Sequence, residues 1–271
     1  MANLSDILRT VETLAPKTLA YLDDPVGVQV GITDPGEQAR ITVKKCVVSL
    51  DPTVRVILEA LQTKANLIIT HHPLSLSSAK NVSDELLKKI ELLGAKRSTL
   101  FCVHTNWTSA ENGITDTLID ILGLKKLNVF QPSYGNQEIP LGRICEPLSE
   151  EMSLELFLEQ IAHKLNLKAI DYVGKPDSSV NRICIVCGSG GKYEWIKEAK
   201  YLGVNTYLTG ETSHDSARLA EELKINLINA TRYATENPGM RRLLQLLQLE
   251  HSDVDFIFID SNQPWRISLR G

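Results

Sequence analysis

Two adjacent histidines, His71 and His72, follow Ile68-Ile-Thr70, the end of a strand-like run, and precede Pro73, which stops a strand ladder from continuing. A third, His104, follows a second apolar run, Leu100-Phe-Cys-Val103. Neutral imidazole is the commonest transition-metal ligand, and three imidazoles at neighbouring strand ends could coordinate one or two divalent ions. The alternative is that they are hydrogen-bonded loop histidines at a domain edge.

Further along, the strand-like segment Asn226–Ala230 leads into Thr231-Arg-Tyr-Ala-Thr-Glu236-Asn-Pro238. This places Glu236 at the entrance of the next helix, where a carboxylate either bridges metals or answers the helix dipole. Leu208-Thr-Gly-Glu211-Thr-Ser-His214-Asp215 has the same strand-to-helix character. His214 and Asp215 there could support a metal site or act as caps, with capping the reading preferred for Asp215. The turn Gly188-Ser-Gly-Gly191 could cradle a phosphate with backbone N–H groups, although such glycines often serve backbone geometry alone. Cys184 and Cys187 form a CxxC inside a strand-like run, where residues three apart face opposite ways, so they read as core thiols.

These residues need strands and helices in alternation to hold them. Cys46–Leu50, Asn66–Thr70 and Thr99–Val103 read as buried strands, with helices opened by Asp51 and Pro52 and spanning Asp84–Leu93. The pattern argues an α/β fold with mostly parallel sheets, whose ligands bind at the carboxyl ends of strands. The turn-rich segment Asn128–Pro140 suggests a lobe boundary, after which a helix at Ser153–Leu165 and a βα pair at Arg182–Leu202 begin a second lobe. Strands at Leu227–Ala230 and Val254–Asp260, bracketing a helix at Pro238–Leu249, would return the chain to the first. The expected lobes are therefore 1–127 with 227–271, and 128–226.

With 43% hydrophobic residues, 23% charged and a net charge of −4, the 271-residue chain has no electrostatic footprint for nucleic acid. The N-terminal segment puts Leu4, Ile7, Leu8, Val11 and Leu14 at helical spacing behind Ser5, a globular helix rather than a leader. No apolar run approaches the roughly 20 residues of a membrane span. Five cysteines scattered through apolar segments suit a reducing compartment, so the expected location is cytoplasmic.

In order along the chain, Asp24-Pro-Val-Gly-Val-Gln-Val-Gly31, Thr70-His-His-Pro73, His104-Thr-Asn-Trp107, Asn112-Gly-Ile-Thr-Asp116, Gly188-Ser-Gly190, Thr209-Gly-Glu211 and Tyr233-Ala-Thr-Glu236 resemble the NIF-three-like family of dinuclear-metal proteins, grouped with type 2 GTP cyclohydrolase I. The resemblance runs nearly end to end. It implies two α/β lobes flanking a central metal cleft, a ring-shaped homohexamer built as a trimer of dimers, and the short form without an inserted domain. It places metal ligands at His71, His72, His104 and Glu236.

The chain departs from the family pattern at Thr108, where an aspartate is usual, at Arg232, where a histidine is usual, and at Asp215, which replaces a second histidine. Losing a carboxylate while gaining a guanidinium works against holding two divalent ions, which need bridging anions. At most one zinc, manganese, iron or nickel ion per chain is expected, unless Glu111 supplies the missing carboxylate. Arg232, four residues before Glu236, could pair with it bidentately. One reading is a metal-dependent hydrolase of purine nucleotides, with His104 or His214 moving protons and with Gly188, Gly190, Gly191 and Arg232 holding phosphate. The other is a non-catalytic, ring-forming scaffold or regulatory protein that works through protein partners.

Overall fold

The computed structural model describes residues 2–75, 82–149 and 151–268. They fall into two compact units, Met1–Gly113 with Met240–Asn262, and Ile114–Gly239 with Gln263–Gly271. The first contains α1 (Leu4–Leu14), β1 (Gly27–Val30), α2 (Pro35–Gln38), β2 (Lys45–Ser49), α3 (Val54–Gln62), β3 (Leu67–Thr70), α4 (Asp84–Ala95), β4 (Thr99–Cys102) and α5 (Thr105–Ser109). The second contains α6 (Ile114–Leu122), β5 (Leu124–Phe130), β6 (Ser133–Tyr134), β7 (Gln137–Glu138), β8 (Gly142–Pro147), α7 (Leu154–Leu165), β9 (Asp171–Val173), β10 (Ile183–Val186), α8 (Tyr193–Tyr201), β11 (Thr206–Thr209), α9 (His214–Leu223) and β12 (Asn226–Asn229). Helix α10 (Arg232–Glu250) starts in the second unit, and β13 (Asp255–Phe258) lies in the first.

The first sheet has the order β1-β4-β3-β2-β13, parallel throughout except for the edge strand β1. β2, β3 and β4 are buried along nearly their whole length, as the unbroken apolar runs require of central parallel strands. Val47, Ile68 and Leu100 from these strands pack with Val56, Ile57 and Leu93 of α3 and α4 into one core. β3 and β4 run in register from Leu67 opposite Thr99 to Thr70 opposite Cys102. Their carboxyl ends therefore stop level, and the segments carrying His71, His72 and His104 emerge side by side.

Local chemistry sets the helix starts differently from the sequence reading. Asn3, not Ser5, caps α1, in a reciprocal capping box with Asp6. Thr53, not Asp51, caps α3 through Val56 N–H, which leaves the Asp51 side chain for another task.

The second sheet has the order β5-β8-β10-β11-β12-β9, a parallel core of β10, β11 and β12 flanked by antiparallel neighbours. Leu227–Ala230, assigned to the first lobe from sequence, supplies β12, which pairs with β11 and β9 here. The expected break at residue 128 falls inside β5, and contacts divide the chain at Gly113 instead. β5 has exposed Lys125 and Lys126, which hide it from a hydrophobic pattern. α10 begins at Arg232 rather than near Pro238, so Glu236 sits in its second turn, and Pro238 is accommodated inside the helix.

Buried charge anchors the second unit. Arg143, 3% exposed, donates from Nε to Asp116 at 2.7 Å, and Lys126 Nζ reaches the same carboxylate at 3.1 Å. Arg143 also donates to the carbonyls of Pro140 and Gly142. Removing one partner of such a pair strands the other charge away from water, which costs about 3–5 kcal/mol. The Asp116→Ala variant is accordingly expected to lose about that much stability in a urea titration, and a loss below about 1 kcal/mol would contradict the assigned role.

Candidate metal centre

One ring nitrogen each from His71, His72 and His104 lies within 4.8 Å of the other two. Ring centroids are 5.0 Å apart for His71 and His72, 5.1 Å for His71 and His104, and 5.9 Å for His72 and His104. His71 and His72 are buried and His104 is half-buried. The three imidazoles therefore lie together, close enough to share one ion.

Each ring is held at Nδ1 by an oxygen that can only accept. His71 Nδ1 lies 2.8 Å from the Val103 carbonyl, His72 Nδ1 lies 2.6 Å from Asp51 Oδ1, and His104 Nδ1 lies 2.5 Å from Asp24 Oδ1. Nδ1 must therefore carry the proton, and in the neutral ring the lone pair belongs to Nε2. The carboxylates are themselves fixed. Asp51 accepts from Ser261 Oγ at 2.6 Å, while Asp24 accepts from the backbone and hydroxyl of Thr105. Burial by itself raises the Asp24 pKa, but its hydrogen bond to His104, the His104 charge and the Thr105 hydrogen bonds together hold it below the usual carboxylate value. Asp24 thus stays anionic beside its imidazole. A carboxylate or carbonyl behind each histidine is the arrangement that orients metal ligands and raises their basicity.

Sequence reasoning missed Asp24 and Asp51 as partners of these rings. In the sequence Asp24 is only the first residue of a motif, and Asp51 reads as a helix opener. The available signal was position: Asp51 follows the end of β2, whose Ser49 is paired with Thr70, the residue before His71.

The second unit holds the remaining candidates. Glu236 is 3% exposed, and its Oε2 lies 3.7 Å from Arg232 Nε. That is ion-pair distance rather than the expected bidentate hydrogen-bonded fork. Arg232 Nη1 also stands 3.8 Å from Glu211 Oε2, so the guanidinium lies between two carboxylates. Two glycines let backbone come close to this turn of α10. Gly188, at φ +65°, would drive a Cβ into the Glu236 carboxylate, and a Cβ on Gly210 would meet Thr235 Oγ1 at 2.6 Å. Gly188 N–H donates to Thr235 Oγ1 at 3.2 Å, and Gly191 N–H to the Glu211 carbonyl at 3.0 Å. These two N–H groups hold the loop to its neighbours, so the turn meets the backbone requirement rather than offering them to phosphate. His214 and Asp215 are exposed in the first turn of α9, and Ser213, not Asp215, is its cap.

Residues 2–264 match the Duf34/NIF3 (NGG1p interacting factor 3) family. The chain belongs to this family. A Clostridium perfringens relative named GTP cyclohydrolase 1 type 2 homolog is 32% identical over 257 residues, covering 94% of this chain and 95% of its own. Among solved structures, reduced HcgD from Methanocaldococcus jannaschii is 30% identical with a TM-score of 0.79, covering 95% of this chain and 97% of its own. A Bacillus cereus protein related to NIF3 shares the fold at 20% identity, with a TM-score of 0.85 and coverage of 100% and 99%.

Where the NIF3 pattern leads one to expect an aspartate, Thr108 is buried and turns its hydroxyl back onto the His104 carbonyl at 3.4 Å. Glu111, the alternative carboxylate, is exposed and does not join the histidine group. The five cysteines are buried free thiols, burial pushes their pKa values up, and none of them belongs to the histidine group.

Three imidazoles with anchored Nδ1 atoms and Nε2 left for a ligand fit a divalent transition metal. Titration with zinc against a chromogenic chelator is expected to give one ion per chain, abolished by His71→Ala and weakened about 10–100-fold by Asp24→Asn or Asp51→Asn. Unchanged affinity in both asparagine variants would contradict the orienting role of the carboxylates.

Proposed function

We propose that this chain is a metal-dependent hydrolase of the NIF3 type, with one divalent ion at His71, His72 and His104 and a purine nucleotide as substrate. The observation that carries the reading is the donor set itself. Three imidazoles, with no fourth protein donor in their group among the described residues, are the ligand class of catalytic zinc, which keeps a position for water, whereas structural sites close all four. A bound divalent ion there would bring the pKa of a water toward neutrality and so supply a nucleophile.

The chain's own residues do the rest. Asp24 and Asp51 hold His104 and His72 with Nδ1 protonated, which prevents the rings from turning the wrong nitrogen forward. His104, the more exposed of the three, is also the ring whose partner carboxylate is best placed to compensate a transient positive charge. The substrate class is taken from the name GTP cyclohydrolase 1 type 2 homolog, carried by the Clostridium perfringens relative and by a 30% identical relative from Methanocaldococcus jannaschii.

A second reading, a non-catalytic ring-forming scaffold, is favoured by Arg232 and Thr108. The guanidinium between Glu211 and Glu236 neutralises carboxylates that a second ion would need, and Thr108 offers no charge. GTP turnover with added zinc, manganese or iron separates the two. The hydrolase reading expects product from the native chain and at least a 100-fold loss in His71→Ala, as for loss of an essential group. Turnover that appears only in the Thr108→Asp, Arg232→His double variant would overturn it in favour of a degenerate site.

A further inference from the structure

β13 and β2 are parallel and in register from Asp255 opposite Lys45 to Phe258 opposite Val48. Ile259 N–H extends the ladder to the Val48 carbonyl at 3.0 Å. The two strands therefore deliver the residues that follow them to the same end of the sheet, Asp51 three positions past Val48 and Ser261 three positions past Phe258. There Ser261 Oγ donates to Asp51 Oδ2 at 2.6 Å, while Asp51 Oδ1 accepts from His72 Nδ1–H at 2.6 Å. Hydroxyl, carboxylate and imidazole form a chain of three.

The segment that carries Ser261 is clamped from two helices. Arg55 of α3 donates from Nη2 to the Asp260 carbonyl at 2.5 Å, and Arg241 of α10 donates from Nη2 to the Asp260 carboxylate at 3.1 Å. Asn262, at φ +65°, turns its N–H back to the same carboxylate at 2.8 Å. The Arg241 guanidinium also lies 4.0 Å from the Phe258 ring centroid. The hydroxyl of Ser261 is thus placed by these contacts and not by Asp51 alone.

His104 and His72 differ in how much they need such help. The Asp24 side chain behind His104 is 6% exposed and accepts from both the backbone and the hydroxyl of Thr105, the residue next to His104. The Asp51 side chain behind His72 is 33% exposed, so water competes for its oxygens and burial does not hold its plane. Its hydroxyl donor comes from 210 positions further along the chain.

We propose that Ser261 is a positioning residue for the metal, acting through Asp51 to hold the His72 ring, so that affinity for the ion depends on the docking of β13. The proposal rests on the three rings being metal ligands, as the proposed function has them, and not on the substrate. His72 is then the ligand whose orientation is tied to the closing strand of the first sheet.

Zinc competition against a chromogenic chelator on the full chain, alone and in a double-mutant cycle, tests it. Ser261→Ala is expected to weaken zinc about 3- to 10-fold, less than loss of Asp51 because the carboxylate remains, and Ser261→Thr to restore affinity to within about two-fold. In an Asp51→Ala background Ser261→Ala is expected to add no further loss, since the group it acts through is gone. Lys45→Gln, which removes the exposed Lys45–Asp255 ion pair between β2 and β13, is expected to leave zinc affinity unchanged. Unchanged affinity in Ser261→Ala, no rescue by Ser261→Thr, a further loss in the Asp51→Ala background, or an equal loss in Lys45→Gln would overturn the proposal. Zinc binding that depends on Ser261 in a chain without GTP turnover would remove the hydrolase and leave the positioning role. A native chain that binds no zinc would remove both.

Discussion

Three imidazole rings can share a small buried space only if something other than chance decides which nitrogen each presents, and here the decision is made behind the rings. A carbonyl and two carboxylates accept hydrogen bonds from Nδ1–H of His71, His72 and His104. Without those acceptors each buried ring would have a polar N–H turned into protein, at a cost of about 1–3 kcal/mol. With them, tautomer and orientation are fixed before any ligand arrives. The acceptors in turn depend on the sheet. Val103 follows β4, Asp51 follows β2, and the histidines follow β3 and β4, strands whose ends are level because their registers agree. The parallel core of the first unit, packed from Val47, Ile68 and Leu100, is what keeps these ends together.

The second unit solves a different problem, the burial of a charged side chain next to backbone. Glycines at 188 and 210 let two loops close over Glu236 and Thr235, where any Cβ would collide. Arg232, one turn earlier on α10, gives the Glu236 carboxylate a compensating charge and leans toward Glu211 as well. The motifs that identify the family thus divide by physical role. The histidine motifs and Asp24 build the histidine group, Asp116 builds a buried ion pair with Arg143, and the glycine and Tyr-Ala-Thr-Glu motifs build the Glu236 neighbourhood.

Much of this was legible in the chain. Unbroken apolar runs revealed β2, β3 and β4, and the histidines behind them could be placed at strand ends without coordinates. Less legible were elements whose pattern is interrupted by exposure. β5 carries outward lysines, and β12 is short enough to suit either lobe, so the boundary was misplaced. α6 was overlooked although Ile114, Leu118, Ile119 and Leu122 recur at helical spacing and are all buried. The caps lie two residues from where the sequence places them because several acceptors compete at each helix start, as with Asn3 and Ser5. The orienting carboxylates escaped for a deeper reason. Asp24 and His104 are 80 positions apart, and Asp51 and His72 are 21 apart, so their pairing exists only once the sheet has formed.

Anomalous diffraction from crystals grown with zinc would test the central claim most directly, because it locates the ion and shows the rings around it. The account predicts one anomalous peak per chain, bonded to Nε2 of His71, His72 and His104, with the Nδ1 contacts to Val103, Asp51 and Asp24 retained. A peak bonded through Nδ1, or strong zinc peaks elsewhere with none among these three rings, would contradict it.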